Sequence, residues 1–267
     1  MSGPLLVSRD GPFARVTLAR PEVRNAFDAA LIGELRAAFE SLADEPPDAL
    51  RGVVLAGSGA VFCAGADIEW MRGAIRLSVE DNERDAAAMQ AMFTAIDECP
   101  VPVIARVTGA ALGGGIGLCA TADVVVATAG TTFGFTETKL GILPAVISTF
   151  VVPKVGESHA RALFATGERF DAERAKGIGL VHEVLADDAA LDARIEALLA
   201  ELRSAGPTAV RRAKALVRGL RGLAPAAARA ETVRLIARQR TSPEGQEGLG
   251  AFVEKRRPSW WTAHDET

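Results

Sequence analysis

Two periodicities alternate along the first 200 residues, and each predicts a different kind of element. Apolar residues three and four positions apart predict amphipathic helices over residues 29–42 and 79–98. Short apolar or alternating runs predict strands, and these lie at residues 14–19, 52–57, 101–107, 123–128 and 180–185. Strands that alternate with helices favour parallel pairing with helical crossovers. The pattern therefore predicts an α/β architecture.

The pattern changes near residue 200. From Leu191 onward the chain is alanine-rich and almost wholly helical, with breaks at Gly206-Pro207 and Ser242-Pro243. We therefore predict a core of residues 1–200 and a C-terminal α-helical region of residues 201–267.

Two glycine-rich loops, residues 57–66 and 109–115, each follow a predicted strand. Ligand sites in α/β folds gather in loops beyond strand ends. A short helix expected over residues 116–121 would point unpaired N–H groups, and the positive end of its dipole, at an oxygen gaining negative charge. Either loop alone is equally consistent with a tight turn. Together, they predict an oxyanion hole, in which backbone N–H groups from two loops converge on one oxygen.

Composition narrows the possible partners and compartments. The net charge of −4 provides no general attraction to nucleic acid or to an anionic membrane. The longest uncharged run, residues 107–122, is too short to span a bilayer, and the N-terminus lacks the pattern of a signal peptide. The three cysteines are widely spaced, which disfavours disulfides and zinc sites. We therefore expect a cytoplasmic protein without a metal site.

Four motifs carry a family resemblance: GAVFCAGADIEWM (59–71), VPVIARVTGAALGGGIGLCATADVVVAT (101–128), TFGFTETKLGILP (132–144) and ATGERFDAERAKGIGLVHEV (165–184). In this order they resemble the enoyl-CoA hydratase/isomerase (crotonase) superfamily, over about residues 12–258. The details are most similar to bacterial methylglutaconyl-CoA hydratase-like members. The resemblance implies a spiral core of repeated ββα turns and a C-terminal trimerisation region. It also implies a homotrimer or a dimer of trimers, an acyl-CoA substrate, and no cofactor beyond the coenzyme A of that substrate.

The same resemblance implies roles for particular residues. The oxyanion donors fall on the N–H groups of Ala66 and Gly114, and the catalytic acid/base falls on Glu137. The expected substrate-binding residues are Arg24, Cys63, Ala64, Gly65, Asp67, Ile68, Trp70 and Gly113. A carboxylate in so apolar a segment is expected to have a raised pKa. Without the resemblance, a loop carboxylate paired with Lys139 is the simpler interpretation of Glu137.

One position departs from the hydratase pattern. Hydratases of the family use two glutamates, and the second would fall on Gly117. Glu69 is a candidate replacement, although a solvated carboxylate at the start of a helix explains it as well. Asp67 is better explained as the cap of that helix than as a participant in the chemistry.

Three functions are therefore compatible with the sequence. The first is hydration of a 2-enoyl-CoA by Glu137 alone, on a branched or carboxylated acyl group such as methylglutaconyl-CoA. The second is a Δ3–Δ2 enoyl-CoA isomerase, which needs only one base. The third is an acyl-CoA-binding homologue with little catalysis.

Overall fold

The computed structural model of the chain describes residues 3–261. The first two residues of the predicted core and the last six of the predicted C-terminal region lie outside this range. The strands are β1 Leu5–Asp10, β2 Phe13–Leu18, β3 Gly52–Gly57, β4 Val103–Val107, β5 Ala110–Leu112, β6 Val124–Thr128, β7 Thr132–Gly134, β8 Arg169–Asp171 and β9 Glu183–Leu185. The helices are α1 Ala29–Ala43, α2 Ile68–Ala74, α3 Val79–Asp97, α4 Gly114–Thr121, α5 Ala145–Thr166, α6 Ala172–Gly177, α7 Asp188–Ser204, α8 Pro207–Gly219, α9 Pro225–Arg240 and α10 Pro243–Val253.

The α/β class is confirmed by the sheet topology. A six-stranded sheet has the order β1-β2-β3-β4-β6-β9, and only β1 pairs antiparallel in it. A smaller sheet has the order β5-β7-β8, and its strand β5 lies within the second glycine-rich loop, residues 109–115. Parallel strands bring their carboxyl ends to one edge of a sheet. Both glycine-rich loops therefore leave the large sheet at the same edge.

Helices cover both faces of the large sheet, which is why its central strands are apolar on both sides. One face packs against α1, α3, α4 and α5 in the main hydrophobic core. The opposite face packs against α7, which contributes Leu191, Ile195 and Leu199. The helix predicted over residues 29–42 has the expected buried face, and the side chain of Asp28 caps it by accepting a hydrogen bond from the Leu31 N–H.

Among the C-terminal helices, α7 and α8 contact the core, whereas α9 exposes apolar residues. Helix α7 runs through residue 200 and packs on the sheet, so the predicted division at that position stays a prediction. Lys214 of α8 donates a 2.7 Å hydrogen bond to Asp123, which begins the turn into β6. Helix α9 contains no buried residue, and Val233 and Ile236 are exposed.

Candidate active site

The two glycine-rich loops meet, as the sequence predicts. The Cys63 N–H donates to the Ala110 carbonyl at 3.1 Å, and the Leu112 N–H donates to the Cys63 carbonyl at 3.0 Å. Gly65 has φ of 93°, and a Cβ placed on it would lie 2.9 Å from the Leu112 carbonyl oxygen. Only glycine allows this conformation and this approach together.

Helix α4 begins directly at the site. Gly113 holds φ of 50° and ψ of −120°, and its N–H donates to the Gly134 carbonyl at 2.9 Å. Because of this turn, α4 begins at Gly114, two residues earlier than the sequence predicts. Among residues 3–261, the N–H groups of Ala66 and Gly114 donate to no protein acceptor. Both are therefore available to a ligand oxygen.

Glu137 lies beside this helix start, on a 3-10 helix over Thr136–Leu140. Its Oε1 would be 3.1 Å from a Cβ on Gly113, so the carboxylate touches the glycine turn directly. Its Oε2 is buried and has no hydrogen-bond partner within the described residues. Burial raises the pKa of the Glu137 carboxyl, against a weaker opposing effect of its own backbone N–H. This confirms the expected direction of the shift.

The alternative of a Glu137–Lys139 ion pair is not seen in the described part of the chain. Lys139 is exposed, and its aliphatic stem lies over Gly167, where an added Cβ would be 3.1 Å from Lys139 Cγ. Fewer of the apolar residues near Glu137 in the sequence are buried than the sequence predicts. Phe133 and Phe135 are buried, whereas Ile142 and Leu143 are exposed.

The position of the expected second glutamate is filled by other side chains. A Cβ on Gly117 would lie 2.5 Å from Ile147 Cγ2 and 2.7 Å from Phe93 Cζ. These residues come from α5 and α3, so the crowding is a tertiary feature. Gly117 thus leaves no room for a carboxylate, and the site contains Glu137 without that partner.

Glu69 is exposed and paired with Arg72, as expected of a solvated carboxylate at the start of a helix. Its side chain is 73% exposed, and both its oxygens accept hydrogen bonds from Arg72, at 2.8 and 2.9 Å. Asp67 caps α2, since its Oδ1 accepts the Glu69 N–H at 2.8 Å and its Oδ2 accepts Arg20 at 2.9 Å. Burial works against its charged form. The Glu69 N–H and Arg20 nevertheless outweigh that effect and hold the pKa of Asp67 below its usual value.

The predicted substrate-binding residues lie along one path beside the loop. Arg24 adopts a left-handed conformation, its carbonyl accepts the Ala64 N–H at 3.0 Å, and its side chain is exposed. Ile68 is also exposed, and Trp70 is half-buried against the core. Burial raises the pKa of the Cys63 thiol to about 12, so this thiol is no nucleophile at neutral pH.

Sequence reasoning missed the residues that hold the first loop in place. Asn25 is fully buried, and its Nδ2 donates to the carbonyls of Ser58 at 2.9 Å and Val61 at 2.7 Å. Its Oδ1 accepts the Arg20 N–H at 2.9 Å. The available signal was an asparagine flanked by apolar residues between a strand and a helix, in RPEVRNAF.

Comparison with known proteins bears on this arrangement. The model of the enoyl-CoA hydratase/isomerase family matches residues 9–263 of the chain. The chain belongs to the enoyl-CoA hydratase/isomerase family. Within this family, its structure is similar to that of Pseudomonas aeruginosa AtuE, with a TM-score of 0.93, 39% identity, and coverage of 97% of this chain and 100% of that one.

Two further proteins are similar to this chain, one in structure and one in sequence. An enoyl-CoA hydratase from Shewanella pealeana aligns with a TM-score of 0.91 and 36% identity, covering 96% of both chains. The 2,3-dehydroadipyl-CoA hydratase of Escherichia coli is 31% identical over 96% of this chain and 98% of its own length. The chain is therefore an enzyme of enoyl-CoA hydratase or isomerase type with the crotonase fold.

Residues 3–261 contain neither a candidate metal site nor a candidate membrane-spanning helix. No group of three or more histidine, cysteine, aspartate or glutamate side chains is placed to hold a metal ion. No helix in that range is long and apolar enough to cross a membrane.

Proposed function

We propose that this enzyme hydrates a 2-enoyl-CoA, and dehydrates the product, with Glu137 as the only acid/base. The observation that carries the proposal is a half-buried carboxylate against the glycine turn that opens α4, whose buried Oε2 has no hydrogen-bond partner among residues 3–261. The N–H groups of Ala66 and Gly114, which have no acceptor within residues 3–261, would stabilise negative charge on the substrate oxygen. A thioester oxygen between these donors would place the acyl chain beside Glu137.

In the proposed hydration, negative charge develops on the thioester oxygen of the substrate. Glu137 takes a proton from water as the oxygen of that water bonds to the β-carbon. The electron pair of the double bond moves to form an enolate, whose negative charge rests on the thioester oxygen. The donors and the N-terminal dipole of α4 stabilise that charge more than they stabilise the neutral substrate. Glu137 then returns the proton to the α-carbon on the same face, so the addition is syn.

An isomerase is the second candidate, and one observation favours it. Phe93 and Ile147 fill the space beside Gly117, so the site lacks the second carboxylate of a two-base hydratase. Moving a 3,4 double bond to the 2,3 position needs one base only. Glu137 would remove a proton from the α-carbon and return it to the γ-carbon, through the same enolate. A homologue that binds acyl-CoA with little catalysis is the third candidate.

For the acyl group we propose a branched or carboxylated chain such as methylglutaconyl-CoA. The Escherichia coli relative is named for a dicarboxylic acyl-CoA, which supports this class. The coenzyme A moiety would lie along Arg24 and the backbone of residues 63–68, and Trp70 would form a wall of the acyl pocket, with no other cofactor. We further propose a cytoplasmic homotrimer or homohexamer.

A substrate panel tests the proposal. The protein is incubated separately with crotonyl-CoA, methylglutaconyl-CoA and a 3-enoyl-CoA, and the products are analysed by mass and by NMR. Gain of one water by a 2-enoyl-CoA is the expected result. A shifted double bond without a change in mass would establish the isomerase instead. Binding of all three without conversion would overturn both enzymatic assignments.

A further inference from the structure

Phe27 is bonded to the first loop on both sides of the proposed donor Ala66. Its N–H donates to the Gly65 carbonyl at 2.7 Å, and its carbonyl accepts the Asp67 N–H at 2.8 Å. Phe27 and Ala66 thus form an isolated parallel β-bridge. Because the neighbours of Ala66 make both bonds, the Ala66 N–H points away from Phe27 and stays free.

The side chain of the same residue reaches the second donor. Phe27 is fully buried, and a Cβ on Gly114 would lie 2.7 Å from its Cε2. The ring also packs edge-to-face on Phe93, with centroids 6.1 Å apart and planes at 85°. Phe93 in turn lies against Gly117, one turn further along α4. The ring therefore supports the first turn of α4 directly, and the next position through Phe93.

We propose that Phe27 is a positioning residue, which sets the separation of the Ala66 and Gly114 N–H groups through its backbone and its ring respectively. The inference rests on the proposed oxyanion role of these two groups. An oxyanion hole is effective only when its donors lie 2.7–3.1 Å from the oxygen that gains charge. The two donors come from segments about 50 residues apart in sequence. A rigid residue in contact with both fixes their spacing without touching the substrate.

The ring of Phe27 leaves no space for a side chain at the first residue of α4, which is glycine. Gly114 has no side chain, so the aromatic edge packs against the helix backbone itself. Replacing this edge with a smaller side chain would leave both backbone bonds of residue 27 intact. Only the Gly114 side of the hole would lose its support. Phe27→Leu therefore separates the positioning of Gly114 from the positioning of Ala66.

The test compares Phe27→Leu with Phe39→Leu. Phe39 is equally buried in the main core, lies on α1, and undergoes the same change of side chain. Both variants are expected to lose comparable stability in urea unfolding. Only Phe27→Leu is expected to lower kcat, by about tenfold or more, since full removal of one oxyanion donor costs about 10²–10³-fold. KM is expected to change little.

A spectroscopic measurement reports on the hole without turnover. The probe is 4-(dimethylamino)cinnamoyl-CoA, whose absorption moves to longer wavelength when its thioester carbonyl is polarised. Wild-type protein and Phe39→Leu are expected to give the same red shift at saturation, and Phe27→Leu a smaller one. An unchanged kcat and an unchanged red shift in Phe27→Leu would overturn the proposal, as would equal losses in Phe39→Leu. If wild-type protein gives the red shift but converts no enoyl-CoA, the proposed reaction fails while the positioning role is still tested.

Discussion

Burial disfavours the charged form of the Glu137 carboxyl and so raises its pKa. A raised pKa suits a group that must both accept and return a proton. The Oε2 of Glu137 is buried and accepts no hydrogen bond from the described residues. Functional sites commonly carry such groups, because a group that must exchange protons needs a pKa nearer to neutrality than an ordinary carboxyl has. The raised pKa of Glu137 should therefore make the free energy of unfolding depend on pH.

We expect Glu137→Gln to be more stable than wild type at pH 7. The pKa of Glu137 is raised in the folded protein above its ordinary value of 4.5. The folded state therefore keeps a proton that the unfolded chain has lost, and wild-type stability falls as pH rises through this window. Glutamine does not titrate. Urea unfolding should thus show no gain for the variant below pH 4.5 and a full gain above the raised pKa. Glu69→Gln, at an exposed position, is the control. A gain that is independent of pH would contradict the assignment.

We expect Gly113→Ala to lower both stability and activity. Alanine at φ of 50° and ψ of −120° is strained, at a cost of about 1–3 kcal/mol. Its methyl group would also lie 3.1 Å from Glu137 Oε1 and push the carboxylate from its place. Activity should fall at least tenfold. Gly33→Ala is the control, because Gly33 lies within α1 with open space around it, and alanine there should stabilise by about 0.5–1 kcal/mol. Wild-type kcat in Gly113→Ala would show that the turn has no part in placing Glu137.

At the scale of elements, periodicity was enough for α1, α3 and the central strands of the large sheet, but it did not predict the first half of α5, residues 145–156. It could not find β5 and β8, because three residues are too few to show a period, and β1 is largely exposed. The sequence placed the start of α4 two residues late because glycine carries no helix signal. The convergence of the two loops could be predicted from their positions after parallel strands. The role of Glu137 was available only through the family resemblance, since its place depends on contacts between distant segments.

The packing of Phe93 and Ile147 against Gly117 could not be predicted from the sequence, because these residues come from three different helices. We expect Gly117→Glu to destabilise the protein, by about 1–3 kcal/mol or more, without raising the rate of hydration. The new side chain would collide with Phe93 and Ile147. Gly177→Glu, in open space, should cost far less. Urea unfolding and crotonyl-CoA hydration assays would measure both effects. A stable and faster Gly117→Glu would show that the site accepts a second carboxylate.

At the scale of the whole molecule, the C-terminal helices leave apolar side chains uncovered. In α9, Val233 is 68% exposed and Ile236 is 50% exposed. Exposed apolar groups on neighbouring turns are typical of a surface that another chain covers. The proposed trimer or hexamer would supply such a chain.

We expect light scattering to give the mass of a trimer or a hexamer for the wild type, and a smaller mass for Val233→Glu. A charge at this position would have to be buried without a partner in an assembly built on α9. Val7→Glu makes the same substitution at an exposed position of strand β1, and its mass should match that of the wild type. A monomeric wild type would contradict the proposed assembly.

Turnover by Glu137→Gln tests the central claim most directly. The variant keeps the shape of the site and both N–H donors but cannot accept a proton. Its rate of crotonyl-CoA hydration, followed by product mass, is predicted to fall about 10²–10⁴-fold. Calorimetric titration should show that it still binds the thioester. Hydration at the wild-type rate would contradict the account, because the site would then perform its chemistry without the carboxylate on which the mechanism depends.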